Sequence, residues 1–179
     1  MLRKHILSWR NVRLLADMLR RRFWMAVAAQ ILNLGYPHHL KRVKNAVVRR
    51  YVGSVGQGTN FSPGLLVFRG FNTFVGQRCS LGYHFQIFDF ETVSIGDDFL
   101  ASHNVTLIAG THTQDEHRTY IPGPIHIGKR VWIGANVVIV GPCTIGDNCV
   151  IGANSFVKGD IPANATIGGS PARILKSAT

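Results

Sequence analysis

Four histidines in the middle of the chain have a spacing that could support chemistry. His112 and His117 are separated by four residues, and His84 and His103 precede them. A neutral imidazole near pH 7 can accept a proton from a hydroxyl group, and clustered imidazoles can instead bind Zn²⁺. These residue types alone leave both a general base and a metal site open, so the elements that position them have to be considered.

The main element is a repeat of six residues. Residues 127–162 form six consecutive hexads, and a period of six fits neither a helix nor a plainly alternating strand. Hexapeptide self-similarity is typical of a parallel β-helix, in which three hexads make one triangular coil. We therefore predict two full coils here, in which Ile127 stacks on Ile145, Ile133 on Ile151 and Ile139 on Val157. The first place of each hexad is Ile or Val: Ile127, Ile133, Ile139, Ile145, Ile151 and Val157.

The residues at the fourth and fifth places of the hexads indicate tight corners. Asn and Asp tolerate the left-handed backbone that such a corner needs, and the fourth places hold Arg130, Asn136, Pro142, Asn148, Asn154 and Asp160. The fifth places hold mostly small residues, which we expect to point inward: Val131, Val137, Cys143, Cys149, Ser155 and Ile161. The three cysteines suggest no disulfide framework, which favours a reducing, cytoplasmic compartment.

The repeat extends toward the N-terminus but is interrupted. Two further sets of residues six apart are Val75, Leu81 and Ile87, and Ile95, Ala101 and Leu107. Two residues are inserted between these sets, and the spacing from Leu107 to Ile127 is twenty, which predicts one extruded loop at about residues 113–126. The glycine-rich residues 47–74 predict an irregular first coil. A long loop on a rigid scaffold is where function concentrates, and this one follows His112 directly.

The positive charge is concentrated at the N-terminus. Residues 1–50 hold twelve of the twenty Lys and Arg residues and one acid, whereas residues 51–179 hold eight of each sign. The pattern of residues 1–34 predicts a basic amphipathic helix, and the apolar stretch within it is too short to span a bilayer. Such a helix could bind an anionic membrane surface, or it could cap one end of the β-helix. No recognition motif suggests nucleic acid as a partner.

Three motifs resemble a known family. Residues 127–136, 151–162 and 168–176 (Gly-Gly-Ser-Pro-Ala-Arg-Ile-Leu-Lys) are similar to the left-handed β-helix acyltransferases. The resemblance is to their sugar O-acetyltransferase branch of maltose, galactoside, nodulation-factor and surface-polysaccharide enzymes, and it covers about residues 70–176. It implies an all-β, left-handed parallel β-helix domain at residues 51–179 with a C-terminal coenzyme A-binding tail. The basic helical segment, residues 1–50, would precede that domain. The resemblance also implies a homotrimer that uses acetyl-CoA as co-substrate, with no metal.

The resemblance also implies roles for residues on the acceptor side. His112 matches the family's catalytic histidine, which would accept the proton of a sugar hydroxyl as that hydroxyl attacks the thioester. His84 aligns with a substrate-contacting Asn, and Asp89 aligns with an acid. His84 also fits a simple corner residue, and Asp89 could bind a hydroxyl, orient His112 or cap a turn.

On the coenzyme side the family uses mostly backbone groups. The matching positions are Ala135, Ala153 and Lys158, while Arg173 and Lys176 in the tail suit the nucleotide phosphates. Trp132 lies beside this groove and could flank the pantetheine arm, or it could simply be an exposed aromatic residue on a flat face.

The sequence favours acetyl-CoA-dependent O-acetylation of a carbohydrate hydroxyl by direct transfer, with His112 as general base. The basic N-terminus suggests an acceptor at the cytoplasmic membrane face, such as a lipid-linked saccharide or a cell-surface polysaccharide precursor. Serine or other N-acyl transfer on the same fold, and a non-catalytic scaffold, remain alternatives. A zinc enzyme of the γ-carbonic-anhydrase type is disfavoured, because His84 precedes His112 by 28 residues rather than the two coils, about 36 residues, that aligned ligands need.

Overall fold

A computed structural model describes residues 41–176 and shows a parallel β-solenoid preceded by one short helix. The predicted amphipathic helix of residues 1–34 lies outside the described residues. Helix α1 spans Lys41–Tyr51. Its end packs into the solenoid core, where Val47, Val48 and the following Val52 are buried. The described part of the chain thus contains a helix that covers the first coil.

The strands follow in sets of three, each set forming one coil. The first coil contains β1 (Ser54–Val55), β2 (Asn60–Phe61) and β3 (Leu66–Val67). The second contains β4 (Thr73–Val75), β5 (Ser80–Leu81) and β6 (Gln86–Phe88), and the third contains β7 (Val93–Ile95), β8 (Leu100–Ala101) and β9 (Thr106–Ile108). A hairpin of β10 (Thr111–His112) and β11 (Tyr120–Ile121) then leaves the solenoid.

The solenoid continues after the hairpin. The fourth coil contains β12 (Ile125–Ile127), β13 (Trp132–Ile133) and β14 (Val138–Val140), and the fifth contains β15 (Cys143–Ile145), β16 (Val150–Ile151) and β17 (Phe156–Lys158). Strands β18 (Thr166–Gly168) and β19 (Arg173–Lys176) end the described chain. The first, second and third strands of successive coils form three parallel sheets, which we call A, B and C, and β18 and β19 extend sheet B.

The predicted stacking is confirmed in every pair. Ile127 lies opposite Ile145 in sheet A. Ile133 lies opposite Ile151 in sheet B, and Ile139 lies opposite Val157 in sheet C. The earlier hexads stack in the same way, and so does the first coil, which is more regular than predicted: Val55, Phe61 and Val67 pair with Val75, Leu81 and Ile87.

Four of the six predicted corner residues have the left-handed backbone. Asn136, Asn148 and Asn154 have φ values of 57°, 60° and 59°. Arg130 adopts the same conformation, although arginine has no special preference for it, whereas Pro142 and Asp160 are not among the described residues with positive φ. The side chains at these corners bond between coils: the Asn136 amide donates to Asn154 Oδ1 (3.1 Å) and accepts from Asn104 Nδ2 (3.0 Å).

The interior is filled by one column of apolar side chains for each sheet. The first-place residues Ile133, Ile139, Ile145 and Ile151 are at most 1% exposed, and each such burial contributes about 1.5–3 kcal/mol to stability. The predicted inward cysteines are confirmed, since all three cysteines of the chain are free and buried.

The excursion from the solenoid occupies residues 109–124, slightly earlier than the predicted 113–126. The prediction counted back from Ile127, but the fourth coil begins two residues before it. Ile125 is fully buried and pairs with Val93 below and Cys143 above. Within the described part of the chain, no helix has the length and hydropathy that a membrane-spanning helix requires.

We expect Asn136→Ala to lower the free energy of unfolding by about 1–2 kcal/mol, because alanine is disfavoured at positive φ and the two amide hydrogen bonds are lost. Asn136→Gly should lose about half as much, since glycine adopts this backbone readily. Urea unfolding at one protein concentration measures both. Equal losses would show that the amide bonds, and not the backbone conformation, make Asn136 important.

Candidate active site

The hairpin at the root of the excursion carries His112. Strands β10 and β11 are antiparallel, with His112 opposite Tyr120 and Thr111 opposite Ile121. The two rings meet edge to face, with centroids 5.9 Å apart and planes at 70°. His112 is exposed. The predicted general base therefore lies on a short strand next to the rigid coils, with its imidazole open to solvent.

Tyr120 links this hairpin to the solenoid through a hydrogen bond and a ring contact. Its hydroxyl donates to Glu91 Oε1 (3.2 Å) in the corner of the coil below, and its ring lies over Gly110. Gly110 has φ 147°, and a Cβ there would come within 2.7 Å of the Tyr120 ring. Burial and the bond to Glu91 raise the pKa of Tyr120, while the charge of Arg69 opposes the shift. Sequence reasoning missed Tyr120 and Glu91, because neither the excursion that holds Tyr120 nor the insertion between Ile87 and Ile95 that holds Glu91 carries a periodic signal.

An open cavity lies beside His112. It has a volume of about 610 Å³ and is lined by Thr111, His112, Thr113, Gln114 and Arg118. All five side chains can hydrogen-bond to a polyhydroxyl ligand, and Arg118 also carries a permanent charge. The cavity is therefore suited to a polar ligand whose hydroxyl group reaches the imidazole.

Asp89 does not lie in this cavity. Its side chain is fully buried at the corner of the second coil, where one carboxylate oxygen accepts from the Arg69 backbone N–H (2.6 Å) and the other from the Thr73 hydroxyl (3.1 Å). Burial raises the pKa of Asp89, although these hydrogen bonds favour the charged form. No described hydrogen bond joins Asp89 to His112. Of the roles considered for Asp89, this geometry favours the capping of a turn.

His84 lies at a different corner, between sheets B and C. It has φ 56° and is exposed, and its ring lies over Gly64 of the coil below, where an added Cβ would overlap Nδ1. Among the described contacts, none links His84 to His112. The single chain thus does not bring these two predicted acceptor residues together.

Three residues predicted to bind coenzyme A lie on sheet B. Trp132 on β13 is 52% exposed. It pairs with Val150, Val150 pairs with Thr166, and Thr166 pairs with Lys176 on β19. Trp132 and Lys176 are therefore three strands apart on one sheet, which is about 14 Å. Arg173, at the other end of β19, is also exposed.

The other predicted coenzyme residues lie at the next corner and the next face. Ala135 and Ala153 are stacked at the corner between sheets B and C, where the Asn154 N–H donates to the Ala135 carbonyl (2.8 Å). Lys158 ends β17 on sheet C and is exposed. One chain alone therefore does not gather Lys158 and Trp132 on a single surface.

The histidines considered for zinc belong to no common cluster. Within residues 41–176, no three His, Cys, Asp or Glu side chains are grouped so that they could hold a metal ion. His117 lies on the excursion beside Glu116, with Nε2 3.5 Å from the carboxylate.

Comparison with known proteins identifies the family. The family described as "Bacterial transferase hexapeptide (six repeats)" matches residues 124–159. Galactoside O-acetyltransferase of Escherichia coli K12 is 35% identical over 148 residues, which are 80% of this chain and 72% of the relative. The chain belongs to the hexapeptide-repeat acetyltransferase family.

Further relatives agree with this assignment. Nodulation protein L of Rhizobium meliloti strain 1021 is 36% identical over 131 residues, 71% of this chain and 72% of the relative. The structure of a hexapeptide-repeat acetyltransferase from Vibrio cholerae O1 biovar eltor complexed with acetyl coenzyme A matches with a TM-score of 0.82 at 28% identity. That match covers 92% of this chain and 90% of the other. The predicted resemblance to the sugar O-acetyltransferase branch and the predicted enzyme class, an acyltransferase, are confirmed.

We expect Asp89→Asn to keep the catalytic efficiency within about threefold, because the amide can still accept from the Arg69 N–H and donate to Thr73. The folded state binds a proton at Asp89 more tightly than the unfolded chain does, so the carboxyl costs stability as pH rises through its raised pKa. Urea unfolding should therefore show that the stability of the variant relative to the parent increases as the pH rises above 3.8, the ordinary pKa of the carboxyl, and levels off once the pH exceeds the raised pKa.

The control is Asp89→Leu, which leaves the Arg69 N–H unpaired and should be less stable than Asp89→Asn by about 1–3 kcal/mol at every pH. If Asp89→Asn instead lost catalytic efficiency by about 100-fold or more, with unchanged stability, Asp89 would be assigned to the acceptor site.

Proposed function

We propose that this protein transfers the acetyl group of acetyl-CoA to a hydroxyl group of a carbohydrate, with His112 as general base. The observation that carries the proposal is the position of His112. It is an exposed imidazole held on β10 at the mouth of a cavity lined by hydroxyl, amide and guanidinium groups. The relatives named as galactoside O-acetyltransferase and the neighbour solved with acetyl coenzyme A support the same reaction.

The reaction needs one proton acceptor and no covalent intermediate on the protein. His112 takes the proton of the acceptor hydroxyl as its oxygen forms a bond to the thioester carbonyl carbon. The carbon–sulfur bond then breaks, and the imidazolium of His112 returns the proton to the departing sulfur. Tyr120, packed edge to face on His112, limits the orientations that the imidazole can adopt.

The coenzyme would lie along sheet B and the neighbouring corner. Arg173 and Lys176 supply positive charge for the phosphates, and both lie on the exposed strand β19. Trp132 offers an apolar surface for the pantetheine arm, with backbone groups around Ala135 and Ala153 beside it. Lys158 lies on sheet C, so it would reach the same coenzyme only from a neighbouring subunit, which fits the proposed homotrimer.

The acceptor is proposed to be a saccharide at the cytoplasmic face of the membrane, such as a lipid-linked or cell-surface polysaccharide precursor. The support is the concentration of twelve basic residues in positions 1–50. On this proposal the protein is cytoplasmic and touches the membrane surface through residues 1–34, and His84 contributes to the acceptor site from an adjacent subunit.

We expect His112→Ala to lower kcat by about 10²–10⁴-fold, the usual contribution of a general base. Coenzyme A release from acetyl-CoA, detected as free thiol in the presence of a panel of sugars, measures this loss. Affinity for coenzyme A should stay within about threefold, because His112 lies on the acceptor side.

His117→Ala is the matched control, since it removes another exposed histidine from the same excursion, and it should retain activity. EDTA should also leave the release unchanged. Release that survives in His112→Ala would contradict the assignment, and release that stops with EDTA and in His117→Ala would favour a metal enzyme.

We expect the full chain to sediment with vesicles that contain phosphatidylglycerol and not with vesicles of phosphatidylcholine alone. Each basic residue near an anionic surface contributes about 1 kcal/mol, so replacing Arg20, Arg21 and Arg22 together by Gln should weaken binding by about 100-fold. High salt should do the same. Undiminished sedimentation of the triple variant would contradict attachment through this segment.

A further inference from the structure

The turn at the tip of the β10–β11 hairpin is closed by its own polar groups. The Thr113 hydroxyl and the Arg118 backbone N–H both donate to Asp115 Oδ1, at 2.6 and 3.0 Å. The Thr119 N–H donates to the Thr113 hydroxyl (2.8 Å). Arg118 itself has φ 45°. The point from which the Arg118 side chain leaves the backbone is therefore held in place.

The acids of the excursion are already engaged, whereas the guanidinium of Arg118 is not. The Asp115 carboxylate accepts the two bonds just described, and Glu116 lies 3.5 Å from His117. Glu91, at the base of the hairpin, accepts from Tyr120. Within residues 41–176, the Arg118 guanidinium has no side-chain hydrogen bond or ion pair, and no carboxylate lines its cavity. Among the residues that line the cavity, Arg118 alone carries a permanent charge, and its donors are available to a ligand.

We propose that Arg118 makes this enzyme prefer an anionic acceptor, a saccharide that carries a carboxylate or a phosphate beside the hydroxyl to be acetylated. The inference rests on the proposed acetyl transfer and names the substrate class of the same site. A guanidinium presents a planar fork of donors that matches both anions in a bidentate way. Because the side chain is exposed, solvent screens the attraction, and the expected preference is about tenfold rather than absolute.

The test uses three acceptors that share every ring hydroxyl and differ only at C1: methyl glucoside, carboxymethyl glucoside and glucose 1-phosphate. Coenzyme A release gives the catalytic efficiency, kcat/KM, for each sugar with the full-length protein. We expect the parent to favour both anionic sugars over methyl glucoside by about tenfold, and high salt to reduce this ratio. A preference for only one of them would identify the anion as carboxylate or phosphate.

Arg118→Gln should bring the ratio close to one, and Arg118→Lys should retain part of it, because lysine keeps the charge but not the fork. Arg50→Gln is the charge-matched control, since it removes an exposed arginine from α1 and should keep the full ratio. An anionic-to-neutral ratio of kcat/KM near one in the parent, or an unchanged ratio in Arg118→Gln, would overturn the inference. Turnover of methyl glucoside in the same experiment would still support the proposed reaction. An increase in KM for acetyl-CoA alone in Arg118→Gln would also overturn it, because Arg118 would then serve the coenzyme.

Saturation-transfer NMR of the same three sugars, with coenzyme A present, measures their binding and so tests the inference without relying on turnover. If no sugar is acetylated, the proposed reaction fails for these acceptors. Stronger signals from the anionic sugars that disappear in Arg118→Gln would still support the inference, and equal signals from all three would overturn it.

Discussion

The structure depends on the in-register pairing of equivalent residues in successive coils. Ile95, Ile127 and Ile145 form one continuous column because each strand hydrogen-bonds to the strands below and above it. Side chains in a strand alternate between the two faces, so a slip of one residue would turn a buried isoleucine outward and a corner asparagine inward. Extra length is therefore tolerated only outside the strands. The second coil shows this, since Val75 and Ile95 are twenty residues apart and still pair directly.

The corner between sheet C and sheet A is where this chain places its extra length, and the candidate site is built there. Three additions lie one above the other. The first and second coils each carry two extra residues here, since Val67 and Val75, and likewise Ile87 and Ile95, are eight rather than six residues apart. The addition of the second coil brings Asp89 and Glu91 to the corner, and the third and longest addition is the excursion that carries His112. The Tyr120–Glu91 hydrogen bond joins the excursion to the second coil. Asp89 is buried with both carboxylate oxygens hydrogen-bonded, and it stabilises the corner on which the excursion rests.

The parts that follow the period could be predicted from the sequence, and the parts outside it could not. The hexads gave the strand register and the inward cysteines, because burial repeats with the coil. The asparagine corners and His84 followed from residue type, whereas Arg130 has no such preference and adopts the backbone of Asp98 and Asn148, its neighbours in the column. Tyr120 could not be linked to Glu91, since their contact spans 29 residues and depends on how the excursion folds back. Lys158 and Trp132 lie on different sheets of one chain. A pattern that repeats within the chain therefore could not predict whether they share a site.

The two halves of the excursion are held by different interactions, and with the roles proposed for His112 and Arg118 this separates proton transfer from acceptor choice. His112 is positioned by strand pairing with Tyr120 and by the coils beneath it. Arg118 is positioned by the turn that Thr113 and Asp115 close. Because the turn satisfies its own polar groups, its remaining side chains can change without moving the imidazole. A scaffold of this kind can keep one reaction and alter its acceptor through a few residues at the tip of a hairpin.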